Sequence, residues 1–193
     1  MTTNVAPERI IFRKGKKVIL RPYEELDALR VTRWMNDPET TRHLLTRFPQ
    51  SLAAEREWIT KQPSRHPNDI VFAIETLDGV HIGSMGLHRI DWINRLATTG
   101  AVIGEAEYRG KGYGTDAKML LLEYAFNALQ LHKIMSHVID TNLCSQRYSE
   151  KCGYKVEGML KQHHFLDGAY HDEVIMAVFR EDWLPMWNAY MKD

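Results

Sequence analysis

The hydrophobic pattern changes its period several times along the chain. Lys17–Pro22 is a short apolar run closed by proline, which predicts a brief strand. From Glu24 to Met35, Leu26, Leu29, Val31 and Trp34 recur at a loose helical spacing. Asn36, Asp37, Pro38 and Glu39 end that helix and cap a short turn. Ser51 is the expected N-cap of a second helix through Lys61, with Trp58 and Ile59 inward. Pro63 and Pro67 bracket a loop. Three strands follow: Ile70–Glu75, Val80–Arg89 and Ala97–Ile103. The Asp78-Gly79 turn and Asp91–Asn94 join them into an antiparallel meander. Leu120, Leu121, Tyr124, Ala125 and Ala128 then give a broad apolar face to a helix over Thr115–Leu131. Lys133–Ile139 reads as a strand and Asn142–Cys152 as a short helix. Tyr154–Leu166 and Tyr170–Phe179 read as a hairpin about Asp167-Gly168. A short helix with Trp183, Met186, Trp187 and Tyr190 closes the chain. Residues 1–16 read as a polar arm and 17–193 as one domain. The element order predicts an α/β (α+β) domain around one sheet.

Composition narrows the partners. The 193 residues carry 25 Lys+Arg against 25 Asp+Glu, so the formal charge is zero. A nucleic-acid protein that binds through bulk positive charge is thereby disfavoured. The polar start lacks the apolar core of a secretory peptide, and no apolar run approaches the roughly 18 residues of a membrane helix. Cys144 and Cys152 are too few for a disulfide framework. The expectation is a cytoplasmic protein with no nucleic-acid or membrane partner.

The sharpest chemistry lies in Arg109-Gly110-Lys111-Gly112-Tyr113-Gly114, between a predicted strand and a predicted helix. Alternate glycines let backbone N–H groups converge on an anion, and the next helix adds its N-terminal partial positive charge. Arg109 and Lys111 add full charges. A phosphate or pyrophosphate is the expected ligand. The spacing matches neither common nucleotide fingerprint.

This segment resembles the acyl-CoA pyrophosphate loop of the GCN5-related N-acetyltransferase (GNAT) family, with Arg109, Gly112 and Gly114 at its fixed positions. Downstream, Asn142, Ser145, Gly153 and Tyr154 resemble a second element of that family. Asp167-Gly168, Tyr170, Asp172 and Trp183 look like the closing hairpin of the branch with ribosomal-protein and polyamine acetyltransferases. Trp34 to Glu39 looks like its first helix. The resemblance covers roughly residues 17–187. It implies a mixed, mostly antiparallel sheet splayed between the fourth and fifth strands, here Ala97–Ile103 and Lys133–Ile139, with helices on its flanks. It also implies acetyl-CoA as acyl donor, with Val102 and Ile103 on its pantetheine and Arg109, Gly110, Lys111, Gly112, Tyr113 and Gly114 on its pyrophosphate. Asn142 and Ser145 meet the arm from the other side, and Lys151 helps at the nucleotide end.

The implied reaction is direct acetyl transfer to a primary amine, either a small molecule or a peptide N-terminus. An ammonium with a pKa near 10.4 must lose a proton before it can attack. His137, five residues before Asn142, and Glu105, after the fourth strand, are the base candidates. The family's tyrosine acid falls at Ser149, with Tyr148 one residue earlier. Tyr148 also shares a helical stripe with Cys144 and Cys152, which favours a core role. His88 and Trp34 are the acceptor-side candidates. His163, His164, His171 and Asp172 could meet across the last hairpin, but neighbours on a strand point to opposite faces, so no metal is expected. The cysteines read as packing residues rather than nucleophiles. The aromatic tail reads as core or as the contact of a homodimer. Two other readings stay open: a non-catalytic acyl-CoA sensor of the same fold, and a different phosphate-ligand protein.

Overall fold

Alternating apolar positions and well-placed turns assemble eight strands into one sheet. In a computed structural model describing residues 10–192, they are β1 (Arg13–Lys14), β2 (Val18–Arg21), β3 (Ile70–Thr76), β4 (His81–Asp91), β5 (Leu96–Ile103), β6 (Lys133–Ile139), β7 (Lys155–Leu166) and β8 (Ala169–Phe179). The order across the sheet is β1-β2-β3-β4-β5-β6-β8-β7. Among the described residues only β5 and β6 run parallel, and they pair only over Leu96–Thr98 against Lys133–Met135. Beyond that both strands continue without pairing to each other. The sheet is therefore mixed, mostly antiparallel and splayed at the expected place.

The helices are α1 (Ala28–Met35), α2 (Pro38–Thr41), α3 (Leu52–Thr60), α4 (Gln62–Arg65), α5 (Tyr113–Glu123), α6 (Leu143–Glu150) and α7 (Arg180–Lys192). Asp37 and Ser51 cap α2 and α3 through their side chains, as their positions predict. The segment between Pro63 and Pro67, expected as loop, contains most of the short α4.

Three further expectations change. Residues 1–9 of the expected arm lie outside the described residues, but Arg13 and Lys14 pair with Leu20 and Ile19, and Phe12 stacks on Phe72 at 4.7 Å. In the first helix Leu26 and Leu29 are 82% and 69% exposed, while Ala28, Val31 and Trp34 are buried. A 3₁₀ turn over Glu25–Asp27 resets the phase there, because its pitch is three residues and not 3.6. It turns Asp27 inward to meet Arg21 in two hydrogen bonds of 2.7 and 2.8 Å. Burial pulls this carboxyl up, but Arg21 and His81 outweigh it and hold it far below the usual range. The long helix also stops early: α5 gives way at Tyr124–Ala128 to a π-helical turn.

Helix α5 runs through the core, with every residue from Asp116 to Leu122 buried. The sheet covers one side and α7 the other. Trp183 packs on Phe126 at 5.3 Å and on Trp187 at 5.4 Å, and Trp187 stacks on Tyr190. Trp183 is thus core, and half-buried Trp187 and Tyr190 pack against it. Tyr190 donates to Asp116 at 2.7 Å, tying the last helix to the first turn of α5.

Candidate active site

The glycine loop is shaped by left-handed backbone. Gly110 and Gly112 have φ of +71° and +87°, and Gly112 is the N-cap of α5. A side chain at either place is strained. No heavy atom lies within 4 Å of a Cβ built at Gly110, and at Gly112 the nearest is Lys17 Nζ at 3.5 Å. The loop therefore opens to solvent, with the free N–H groups of the α5 terminus behind it. Arg109 does not supply the free charge its motif position suggests. Its guanidinium donates to Ile103 O at 2.9 Å, Gly104 O at 3.0 Å and Thr40 Oγ1 at 2.7 Å. It braces the loop against β5 and α2. The free charge comes from exposed Lys111 and from Lys17, whose ammonium donates to Lys111 O at 2.8 Å. In the sequence Lys17 only begins a strand, since nothing local ties it to a loop 94 residues away.

From this loop the split between β5 and β6 runs back into the sheet. Val102 and Ile103 pair with Ser84 and Gly83 of β4, and their other edge is open. Asn142 caps α6 by accepting from Ser145 N at 3.1 Å. Exposed Lys151 sits at the far end of α6, where the neighbouring Cys152 sulfur lies 4.0 Å from Thr115 O. That contact brings Lys151 beside the first turn of α5.

Strand alternation assigns the remaining residues to faces. Thr98 is paired with Met135, so Gly100, Val102 and His137 share one face. Thr99 and Ser136 share the other, toward α5. His137 is partly open, and its Nδ1 meets Glu173 Oε1 at 2.6 Å. Glu173 also meets His164 Nε2 at 2.7 Å. Burial raises this carboxyl, but the two histidines outweigh that and hold it below its ordinary value. Glu105 is differently placed. It pairs with Arg33, lies 3.9 Å from Arg30 and accepts from Trp34 Nε1 at 3.3 Å. Two donors, Arg33 and Trp34, share its Oε1, with Arg30 close by.

On the α5 face, Ser149 is wholly buried against Lys118, whose Nζ lies 3.4 Å from the serine Oγ and 3.3 Å from Thr99 Oγ1. The same Nζ lies 4.5 Å from the ring centres of Tyr148 and Tyr154. Tyr148 is half-buried, Cys152 buried and Cys144 exposed, so the expected stripe does not form a continuous core face. Burial pushes the Cys152 thiol up to about 11, which suits a packing role.

The acceptor-side candidates do come together. His88 and Trp34 line an open cavity of about 420 Å³ between α1, α3 and the face of β3, β4 and β5. Gly100 and Val102 form part of its floor. Trp34 lies flat on Gly104, where a Cβ would sit 2.0 Å from the indole. Burial lowers the His88 pKa despite Asp69, 3.2 Å from its Nδ1. Glu55 and Trp58 of α3 also line the cavity, and the sequence reading did not single them out. The available signal was a carboxylate four residues before Ile59, on the buried stripe of its helix.

The last hairpin departs from simple alternation. A bulge between Leu160 and His164, with Gln162 at φ +49°, puts His163 and His164 on the same side, their rings 4.9 Å apart. Their donor atoms and Glu173 lie within 4.8 Å of one another. His171 and Asp172 turn instead to Asp140 and Lys161.

A parallel strand pair that parts after three residues, opening onto a glycine-turned helix N-terminus, is the frame of an acyl-CoA-dependent transferase. The chain belongs to the GNAT family: residues 17–155 match the acetyltransferase (GNAT) domain. It is 30% identical over 182 residues to a probable N-acetyltransferase, YjcK, of Bacillus subtilis, covering 88% of this chain and 97% of that protein. It is 29% identical to the spermidine N(1)-acetyltransferase of Escherichia coli, covering 86% and 88%. The structure of Vibrio cholerae spermidine N-acetyltransferase with CoA and spermine superposes with a TM-score of 0.80, at 27% identity, covering 86% and 98%. The protein is an N-acetyltransferase, and its family uses acetyl-CoA.

Proposed function

We propose that this enzyme moves acetyl from acetyl-CoA directly to a primary amine at the split between β5 and β6. The carrying observation is that the open β5 edge leads from the glycine loop into the cavity holding His88 and Trp34. The edge at Val102 and Ile103 suits the pantetheine amides, with Asn142 and Ser145 opposite. Backbone from Arg109 to Gly114 suits the pyrophosphate, with Lys111, Lys17 and Lys151 near it.

His137 is the base. It shares the cavity's face, and Glu173 orients it through Nδ1, leaving Nε2 free to take the proton of the amine. Glu105 is set aside because its carboxylate already serves Arg33 and Trp34. The amine nitrogen then attacks the thioester carbonyl, and a backbone N–H on the β5 edge holds the oxyanion. The C–S bond breaks, and the thiolate takes a proton from Tyr148 on the opposite face. Ser149 is buried too deeply to reach it and only packs on Lys118.

Three acceptor classes follow from this chemistry: polyamines, amino sugars including aminoglycosides, and protein N-termini. A CoA-release assay across all three, with product mass confirmed, tests the reading. Acetylated product from at least one class is expected. Tight acetyl-CoA binding without turnover on any class would instead favour the non-catalytic acyl-CoA module, which the serine at position 149 suggests.

A further inference from the structure

Glu55 is not used by the steps above, yet it is poorly explained as a structural residue. It lies four residues before Ile59 on the inner stripe of α3 and is only 7% exposed. Among the described residues no side chain hydrogen-bonds or pairs with its carboxylate. Burying a carboxylate without a counter-ion is strongly unfavourable. Burial accordingly holds its carboxyl above the ordinary value.

The surroundings show what would relieve this. Among the described residues, Glu55 is the only Asp, Glu, Lys or Arg lining the 420 Å³ cavity. Beside it stand Tyr23, Trp34 and Trp58, whose ring faces accept both apolar bodies and cations. The Tyr23 hydroxyl, also buried, lies by Ser84. Glu55 comes from α3, beside Tyr23 and Trp58, whose rings meet at 5.4 Å, whereas the proposed reaction lies at the β5–β6 split with His137 as its base. The proton of the attacking amine therefore has another acceptor, and Glu55 is left for a second group.

We propose that Glu55 anchors a second, unreactive cationic group of the acceptor. The cavity then selects primary amines with an apolar body and one positive charge at the far end. This deepens the acetyl-transfer reading and rests on it. One carboxylate among aromatic walls answers one distal charge, so a polyhydroxylated, multiply charged aminoglycoside fits poorly.

Hexamethylenediamine and hexylamine provide the test, since they share a body and differ in the distal charge. Binding is measured by calorimetry with CoA present, and kcat/KM by CoA release, for wild type, Glu55→Gln and Glu55→Asp. Wild type should prefer the diamine about tenfold or more in both readouts. Glu55→Gln should bring the ratio near one with acetyl-CoA affinity kept, and Glu55→Asp should retain part of the preference. Absence of a preference in wild type, or its survival in Glu55→Gln, overturns the anchor. A loss of kcat on both amines at an unchanged affinity ratio would make Glu55 a base and overturn it too. If wild type acetylates neither amine, the calorimetric ratio still decides the anchor, and only the acetyl-transfer reading suffers. Circular dichroism melts check that each variant is folded.

Discussion

The proposed donor half and the proposed acceptor half of this enzyme are built from different materials. The donor half uses main chain: an open strand edge, two left-handed glycines and a helix N-terminus. Its side chains mostly stand behind the backbone, as Arg109 does when it braces Ile103 and Gly104. The acceptor half uses side chains: Tyr23, Trp34, Glu55, Trp58 and His88, drawn from helices and strands that meet only in the fold. Backbone geometry demands particular residues at fixed spacing. A cavity wall demands only suitable bulk and charge from whatever element faces it. The first leaves a motif and the second does not.

The contrast can be broken most strongly at the seam between the halves. His137→Ala should lower kcat about 10²–10³-fold at neutral pH while the acetyl-CoA Kd holds, whereas Glu105→Gln should change kcat less than about threefold. Steady-state kinetics with calorimetry checks both. Equal losses would return Glu105 to the chemistry.

On the donor side, Gly112→Val should raise the acetyl-CoA Kd about 100-fold, or about 2.7 kcal/mol. A β-branched residue at φ +87° is strained, and its bulk would enter the space left for phosphate. Calorimetry reads the Kd, and a normal affinity would show that the loop does not hold the donor.

The smallest effect is on the acceptor side and concerns stability. Glu55→Gln should raise the stability of the ligand-free protein by about 1 kcal/mol at neutral pH, because an unpaired buried charge is removed. The sign follows from the raised carboxyl. Its favourable contribution is complete below the unfolded value of 4.5 and is lost as pH rises through the higher folded value. Wild type should therefore lose stability relative to the variant above about pH 4.5. The cavity's other titratable residues, Tyr23 and His88, are present in both proteins, so the difference isolates Glu55. Denaturant titrations from acid to neutral pH measure it, and parallel curves would mean that Glu55 is already satisfied.

Much of the fold was legible because its signals are local. The meander, the β6 strand, the hairpin at Asp167-Gly168 and the caps at Asp37 and Ser51 all followed from alternation and turn chemistry. The errors came where a distant partner overrode a local pattern. Leu26 and Leu29 looked like a buried stripe, but Arg21 on β2 draws Asp27 inward and rotates the helix away. His163 and His164 should have parted, but the bulge at Gln162 brought them together. The stripe of Cys144, Tyr148 and Cys152 failed because α6 is covered toward its end and not its start.

The sequence by itself determined the glycine loop, and its two motifs carried the resemblance that implied the family and the splayed sheet. The loop rests on residues whose φ values and hydrogen-bonding capacity allow few alternatives. Only the tertiary structure decided which candidates share a face, that Glu173 stands behind His137, that Arg109 is a brace, and that Glu55 is buried without a side-chain partner among the described residues. Those facts depend on contacts between residues far apart in the chain. Spacing along one strand or helix holds no information about what packs across from it.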